Sequence, residues 1–373
     1  MPRTGRAAVF LGAGRPFDLR ELPIPEVEPD AALVRITLAN ICGSDLHTWR
    51  GEMPFPADTA GWVPGHEGTG RIAALGRNVR TDSLGRPLKE GDRVVFTYFF
   101  PCGRCSTCLD GLPNACPTRA TRFGPRSADR PPYFTGTFAE YYYLRPGHYV
   151  FQVPEELSDE ELAPVNCALS QVVYGVQQGG LRFGDAIVLQ GAGGLGLNAA
   201  AVARDMGAGR VISIDRIPAR LELAQAFGAD AVVDVNEFPT PEARIERVRE
   251  LTGGRGADVV MDLVGSPAVI PEGLEMLRQG GTYVEIGCIQ PGSMTLDPSR
   301  LIWGCRKLVG LPHYDPWVLP RALEFLVRSR GRFPFDRMLS HRYPLERIDE
   351  AFATAEWANR ADPTQVIRAT VAP

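Results

Sequence analysis

The chain has 373 residues, 44% of them hydrophobic, which is too long for one compact core and ample to fill two. Its formal net charge of −4, with acidic and basic residues interspersed and no dense Lys/Arg run, argues against nucleic acid as the main partner. No segment approaches the roughly 18 uninterrupted apolar residues of a transmembrane helix, and Met1–Arg6 is followed only by the short run Ala7–Leu11, so neither a membrane span nor a signal peptide is expected, and the chain is expected to be cytoplasmic.

In chain order, 7–11 and 31–39 read as strands, joined by a connection that Pro23, Pro25 and Pro29 keep extended. From 41 to 150, Gly and Pro are frequent and β-like runs fall at 69–75, 93–98 and 138–144. That pattern predicts a β-rich domain with long loops, not βαβ units. Residues 159–180 predict helix. Strands at 186–190, 210–214, 231–234, 258–263, 282–287 and 307–311 then alternate with helices at 196–206, 218–227, 241–252 and 267–278, the order of a doubly wound six-stranded parallel sheet. Gly280-Gly281 reads as a helix stop that opens the fifth strand. Beyond Tyr314, a helix at 316–329, a β-like Arg342–Leu345, a helix at 346–356 and a strand at 365–371 do not extend the series. They are expected to fold back onto the N-terminal domain. The fold class is therefore α/β, with boundaries expected at 1–165, 166–308 and 309–373.

The stretch Ala186–Gly196 organises the chain. Ile187, Val188 and Leu189 form a short apolar run of the kind buried on both faces of a parallel sheet. Gly191, Gly193 and Gly196 give the spacing G-x-G-x-x-G, and an alanine-rich helix follows. The glycines leave room for a tight turn, for backbone approach to a pyrophosphate and for close helix packing, while the helix start offers N–H groups to phosphates. The next strand ends in Asp215, about 20 residues beyond the motif, where a carboxylate can bond a ribose 2′-hydroxyl. That favours NAD over NADP, and Arg216 and Arg220 lie close enough to bear on the preference.

Eight cysteines in such a chain point to metal ligands or free thiols rather than a disulfide framework. Cys102, Cys105, Cys108 and Cys116 stand in C-x2-C-x2-C-x7-C spacing, which lets four thiolates converge on a structural zinc in a lobe spanning 101–117. An iron–sulfur cluster and free surface thiols are the alternatives. A second set comprises Cys42-Gly43-Ser44-Asp45-Leu46-His47, Gly65-His66-Glu67 and Cys167. Three protein ligands and an open position suit a catalytic zinc, and Cys42, His66 and Cys167 are of suitable type. Cys167 on an apolar helix also reads as packed core, which leaves Glu67 as another candidate to complete the shell. Asp45 and Glu67 suit carboxylates that orient the histidine. Ser44 and His47 are placed to pass a proton to solvent.

Together these motifs, with Ile367-Arg368 near the end, resemble the zinc-dependent medium-chain alcohol dehydrogenase family over nearly the whole chain. The resemblance implies a GroES-like β-rich catalytic domain made of both chain ends and a Rossmann domain inserted between them. It implies Cys42, His66 and Cys167 as catalytic zinc ligands, Ser44 and His47 as a proton relay, and two zinc ions per chain, one catalytic and one structural. It also implies NAD held by Gly191, Gly193, Gly194, Leu195, Gly196, Asp215, Arg216, Arg220, Val264, Gly287 and Arg368. The expected reaction moves a hydride between NAD and an alcohol, in a homodimer or homotetramer. By matching positions Trp49, Met53, Tyr98 and Phe99 line the pocket, which suits a bulky apolar or cyclic secondary alcohol. Polyol-type and phosphonate-catabolism-associated members, a zinc-free quinone-oxidoreductase-like reductase and a non-catalytic nucleotide sensor are the alternatives. Two departures stand out: Gly43 replaces a basic residue common in the family, and the interval from Cys167 to Tyr174-Gly175 runs one residue off the commoner spacing. The stretch Thr118–Thr135, with Arg119, Arg122, Arg126 and Arg130, reads by default as a solvated loop.

Overall fold

The structure, a computed structural model, describes residues 4–53, 61–118, 127–356 and 368–373. Arg119, Arg122, Arg126 and Ile367 lie outside them. The chain ends build a seven-stranded sheet around β3 (Ala32–Asn40), whose run Ala-Leu-Val-Arg-Ile-Thr-Leu-Ala-Asn is buried along most of its length. β3 pairs antiparallel with β4 (Glu67–Leu75), which leads to β5 (Arg93–Phe96) and β7 (Val150–Gln152). On the other edge of β3, β6 (Tyr141–Leu144) pairs with its first half and β15 (Arg368–Ala372) with its last two residues. β14 (Leu339–Pro344) lies parallel to β15. Through β14 and β15 the C-terminal tail pairs with β3. A separate antiparallel pair, β1 (Thr4–Val9) and β2 (Asp18–Pro23), packs beside this sheet.

The β3–β4 register decides where chemistry can form. Asn40 stands opposite Glu67, so Cys42, two residues past one strand end, and His66, one residue before the other, emerge side by side. Spacing of 24 positions in sequence is erased by one hairpin-like pairing.

The second unit is a six-stranded parallel sheet in the order β10 (Ala231–Asp234), β9 (Arg210–Asp215), β8 (Ala186–Gln190), β11 (Ala257–Asp262), β12 (Leu277–Glu285) and β13 (Lys307–Gly310). Strand order reverses between β8 and β11, and ligands of such sheets bind at the carboxyl ends of the strands at that switch point. Ile187, Val188 and Leu189 are fully buried there, as a strand covered on both faces requires. The apolar core of this unit continues through the helix Ser170–Gln178 to Val95, Phe99 and Phe151 of the first unit.

Several sequence-based boundaries need correction. The fifth strand opens at Leu277, not after Gly280-Gly281. Its register to β11 shifts between Ala257 and Val259, so the glycines lie inside the strand, where Gly280 takes φ +75°, rather than at a helix end. The preceding helix stops at Met276. The stretch 159–180 is broken into a helix Asp159–Leu162, a π-turn Val165–Leu169 and the helix Ser170–Gln178. A π-turn holds one extra residue per turn, and Cys167 stands at its centre. β2, β7 and the helices Gly43–Trp49 and Pro298–Gly304 have short or weakly periodic sequences and were not anticipated.

Candidate functional site

Cys42 is the residue immediately before the helix Gly43–Trp49, and its backbone N–H donates to Asp45 Oδ2 at 2.9 Å. The other oxygen of Asp45 lies 3.3 Å from His66 Nδ1, so one buried carboxylate both fixes the helix start and sets the imidazole. Ser44 Oγ stands 3.4 Å from His66 Nε2. Cys167 arrives from the π-turn, which is fastened to β4 from both sides. Asn166 Oδ1 accepts from Gly68 N at 3.2 Å, Asn166 Nδ2 donates to Gly68 O at 3.1 Å, and Tyr314 Oη donates to Asn166 O at 2.5 Å. Widened turns of this type gather at functional sites.

The ligand atoms of Cys42, His66, Glu67 and Cys167 all lie within 4.8 Å of one another. A hydrogen bond from the Cys167 thiol, reinforced by His66, holds the Cys42 thiol well below its ordinary range, and the same contact together with burial pushes Cys167 well above it. Burial works against charge on His66, yet the Asp45 carboxylate and Cys42 hold its imidazole well above the usual value. Two sulfurs sharing a proton beside an oriented imidazole are a donor set fitted to a borderline-soft divalent cation such as zinc.

Glu67 is fully buried and heavily held. Its Oε1 accepts from Ala168 N at 3.2 Å, and its Oε2 accepts from Asn40 Nδ2 and, at 2.6 Å, from Arg368 Nη1. Burial pushes its carboxyl up to about 7 against the pull of Arg368. Arg368, itself 7% exposed, extends across to the glycine-rich turn: a Cβ placed on Gly194 would stand 2.1 Å from its Nε. One ion pair thus joins the thiol–imidazole cluster to the phosphate-type turn.

In that turn Gly191 takes φ +102°, and a Cβ on Gly196 would meet Gly191 O at 2.0 Å, so backbone packs where any side chain would intrude. The helix Gly194–Asp205 starts directly after Gly193, with Leu195 half-buried in its first turn. Asp215 Oδ2 accepts from Ala192 N at 2.8 Å, and its Oδ1 accepts from Arg216 N and Ile217 N at 2.8 and 3.0 Å. The carboxylate therefore ties the end of β9 to the turn, while the Arg216 side chain is exposed. Arg220 Nη1 lies 4.0 Å from Asp215 and beside Gly193, and its Nε is buried without a hydrogen-bond partner. An orphaned guanidinium N–H and a cradle closed to Cβ atoms fit a phosphate- and ribose-bearing ligand.

Across the crevice, Asp262 Oδ1 accepts from Val264 N at 2.8 Å and Gly265 N at 3.2 Å, which places Val264, 49% exposed, against Gly191. A Cβ at Gly287 would meet Gly265 N at 2.6 Å, so the turns after β11 and β12 interlock. Asp262 was not anticipated as an organiser, although an acid ending a buried strand is a visible signal.

The second cluster is closed and local. The sulfurs of Cys102, Cys105, Cys108 and Cys116 lie within 4.8 Å of one another, with Cys105 and Cys116 3.9 Å apart. A tetrahedron with sulfurs about 2.3 Å from its centre has edges of about 3.8 Å, so the four fit zinc. Backbone N–H groups of Cys102 and Cys105 donate to Cys116 Sγ and Cys102 Sγ at 3.4 and 3.3 Å.

The expected relay residues separate. Ser44 is placed on His66, whereas His47 Nδ1 meets Glu52 Oε2 at 2.5 Å and Arg50 Nη2 at 3.1 Å. Of the expected pocket residues, Tyr98 reaches the site, its ring 4.9 Å from that of His66. Phe99 is fully buried in the core, and Trp49, half-buried, packs against Phe352. Asn40, Asn166, His313 and Tyr314 were missed; they act through strand register and a long chain return that no local pattern announces.

A Rossmann crevice joined by one ion pair to a thiol–imidazole cluster on a β-rich domain defines a two-domain dehydrogenase. Comparison with known proteins agrees: the family model described as "Alcohol dehydrogenase GroES-like domain" matches residues 28–155, and that described as "Zinc-binding dehydrogenase" matches 194–328. The chain belongs to the zinc-binding, medium-chain alcohol dehydrogenase family and is an alcohol dehydrogenase-type oxidoreductase. It is 34% identical to 5-exo-hydroxycamphor dehydrogenase of Pseudomonas putida over 353 residues, covering 93% of this chain and 94% of the relative. It is 30% identical to sorbitol dehydrogenase of Bacillus subtilis over 356 residues, covering 95% and 94%. Among solved structures, an alcohol dehydrogenase from Thermotoga maritima superposes with a TM-score of 0.89 at 28% identity, covering 99% of both chains. No described helix is long and apolar enough to cross a membrane.

Proposed function

We propose that the chain interconverts a secondary alcohol, apolar or cyclic, and its ketone, with NAD as hydride partner and two zinc ions per chain. The observation that carries this reading is the convergence of Cys42, His66 and Cys167 on one point, joined through Glu67 and Arg368 to Gly194. When bound, zinc supplies Lewis acidity and the nicotinamide accepts or returns the hydride. Cys42, His66 and Cys167 hold the catalytic ion, while Asp45 keeps the His66 ring oriented by its Nδ1 contact. Glu67 serves as a buried anchor for Arg368, its Oε2 shared by Asn40 and Arg368 and its Oε1 held by Ala168 N. Ser44, placed on His66, takes the proton leaving the substrate oxygen, while His47, held by Glu52 and Arg50, braces the helix that carries it. Gly191, Gly193 and Gly196 admit the pyrophosphate, with Arg368 and Arg220 beside it, and Asp215 reads the ribose and favours NAD.

Cys102, Cys105, Cys108 and Cys116 hold the structural ion. The relatives support a cyclic secondary alcohol through the hydroxycamphor enzyme, and polyols as a second reading through sorbitol dehydrogenase and the 31% identical D-arabitol-phosphate dehydrogenase of Enterococcus avium. Assembly as a homodimer or homotetramer is favoured by β13, an edge strand, and by Ile302 and Trp303, 71% and 82% exposed on the helix before it. The test is elemental zinc analysis with a spectrophotometric screen of cyclic alcohols, linear secondary alcohols and polyols against NAD and NADP. NAD reduction by cyclic secondary alcohols in a two-zinc protein is expected. A fully metallated, folded sample that reduces neither cofactor with any alcohol would overturn the reading.

A further inference from the structure

The segment Leu311–Asp315, which carries the chain from β13 back to the first domain, is fastened on every side. Gln171 Nε2 donates to Leu311 O at 3.0 Å, Tyr314 Oη to Asn166 O at 2.5 Å, and Asn114 Nδ2 to His313 O at 3.2 Å, while Asp315 Oδ1 accepts from Asn114 N at 3.2 Å. Asn114 lies in the four-cysteine lobe, in the short turn Pro113–Ala115. The His313 ring stacks on the fully buried Phe99, with centroids 4.6 Å apart and planes 18° from parallel. That imidazole is therefore held in place and in orientation, and its Nδ1 lies 3.2 Å from Tyr98 Oη. Tyr98 in turn packs its ring on His66 and brings its hydroxyl to 3.9 Å from Cys167 Sγ.

We propose that Tyr98 is a specificity-determining residue that binds a second oxygen of the substrate, one carbon from the reacting centre, and that His313 is its positioning partner. This rests on the alcohol dehydrogenase reading given above and narrows its substrate from any apolar or cyclic secondary alcohol to one with a second oxygen on the adjacent carbon. A phenylalanine would fill the same space; the hydroxyl adds a polar contact beside the cluster that seats the reacting oxygen. A phenol hydroxyl has one donor and two acceptor valences; Tyr98 Oη accepts from the Cys167 thiol and meets His313 Nδ1, which leaves one valence for a substrate oxygen. His313 Nδ1 donates or accepts according to its tautomer, so the pair offers an acceptor to a substrate hydroxyl and a donor to a substrate carbonyl. The same device thus serves both directions of the reaction. The two oxygens of a vicinal diol or hydroxyketone lie about one hydrogen-bond length apart, and a hydroxyl hydrogen-bonded to the Cys167 sulfur at 3.9 Å is placed to meet the outer one. Sites built to bond a substrate hydroxyl discriminate strongly against analogues that lack it.

The test uses the zinc-loaded chain with NAD on cyclohexanol and cyclohexane-1,2-diol. It also uses the cobalt-substituted chain, whose visible bands report binding of either compound without turnover. The wild type is expected to favour the diol. In Tyr98→Phe the diol-to-cyclohexanol ratio of kcat/KM should fall about tenfold or more, carried by KM. His313→Ala should lower the ratio in the same direction, and His313→Gln, which keeps a polar group for the phenol, should restore much of it. The cobalt bands of the unliganded variants should match the wild type, which separates lost recognition from a damaged metal centre. No preference for the diol in the wild type, or a ratio unmoved in Tyr98→Phe, would overturn the proposal while leaving alcohol oxidation standing. If no alcohol is oxidised, the cobalt titration still decides whether Tyr98 distinguishes the two compounds, so the two readings fail separately.

Discussion

The molecule holds two cysteine clusters that obey opposite rules. Cys102, Cys105, Cys108 and Cys116 come from one short loop, donate four like ligands and fold over their own centre. Cys42, His66 and Cys167 come from three elements far apart in sequence, combine two sulfurs with an imidazole, and are flanked by the acids Asp45 and Glu67. Four like ligands from one loop close a centre, whereas three ligands from separate elements would leave a side for substrate, the distinction that the proposed function draws between structural and catalytic zinc. The teaching is that local spacing builds stability, while chemistry here needs the β3–β4 register and a widened helical turn.

The comparison can be broken most strongly by removing ligands from each cluster in turn. Cys42→Ala should lower kcat/KM by about a thousandfold or more with the fold retained, because Lewis acid stabilisation worth several kcal/mol is lost; steady-state kinetics and circular dichroism check it together. Cys105→Ser should act the other way round. It should cost several kcal/mol of stability, read as an earlier thermal midpoint and loss of one metal, while the remaining folded fraction keeps most of its turnover.

Asp45→Asn sharpens the contrast further, since the lobe has no counterpart to a carboxylate that orients an imidazole. It should weaken metal affinity or activity about 10- to 100-fold, measured by chelator competition and kinetics. The smallest effect concerns a third group, Asp262, Glu285 and Cys288, where carboxylates and a thiol meet without an imidazole. Burial first, and then the nearby Asp262 charge, raise the Glu285 carboxyl to about 7. Folded chains then hold a proton that unfolded chains release near the ordinary value of 4.5, so stability falls as pH rises from there through 7. Glu285→Gln should flatten that slope by about 1 kcal/mol once its partial solvent access is discounted; urea midpoints at pH 5 and pH 8 read it.

What the sequence discloses follows the same divide. The lobe and the glycine-rich turn are legible because their geometry is written within a few residues: four cysteines on one loop, and glycines that take φ +102° at Gly191 and leave no room for a Cβ against backbone at Gly196. The parallel strands show as apolar runs because both faces are covered. The bulge at Gly280 reads as a helix stop because glycine serves both purposes, and only the pairing of Val259 with Thr282 tells them apart. Phe99 looks like a pocket residue beside Tyr98, but its ring is fully buried and stacks on His313, while the Tyr98 ring reaches His66. Asn40, Asn166 and His313 carry no spacing signal at all, since each acts on a partner brought near by folding.

The most direct test of the account is the metal content of three purified, folded proteins. Wild type should carry two zinc ions per chain, Cys42→Ala with His66→Ala should carry one and still bind NADH by fluorescence titration, and a lobe variant that keeps the catalytic ion should still turn over alcohol. Two zinc ions retained in the Cys42 and His66 double variant would contradict it.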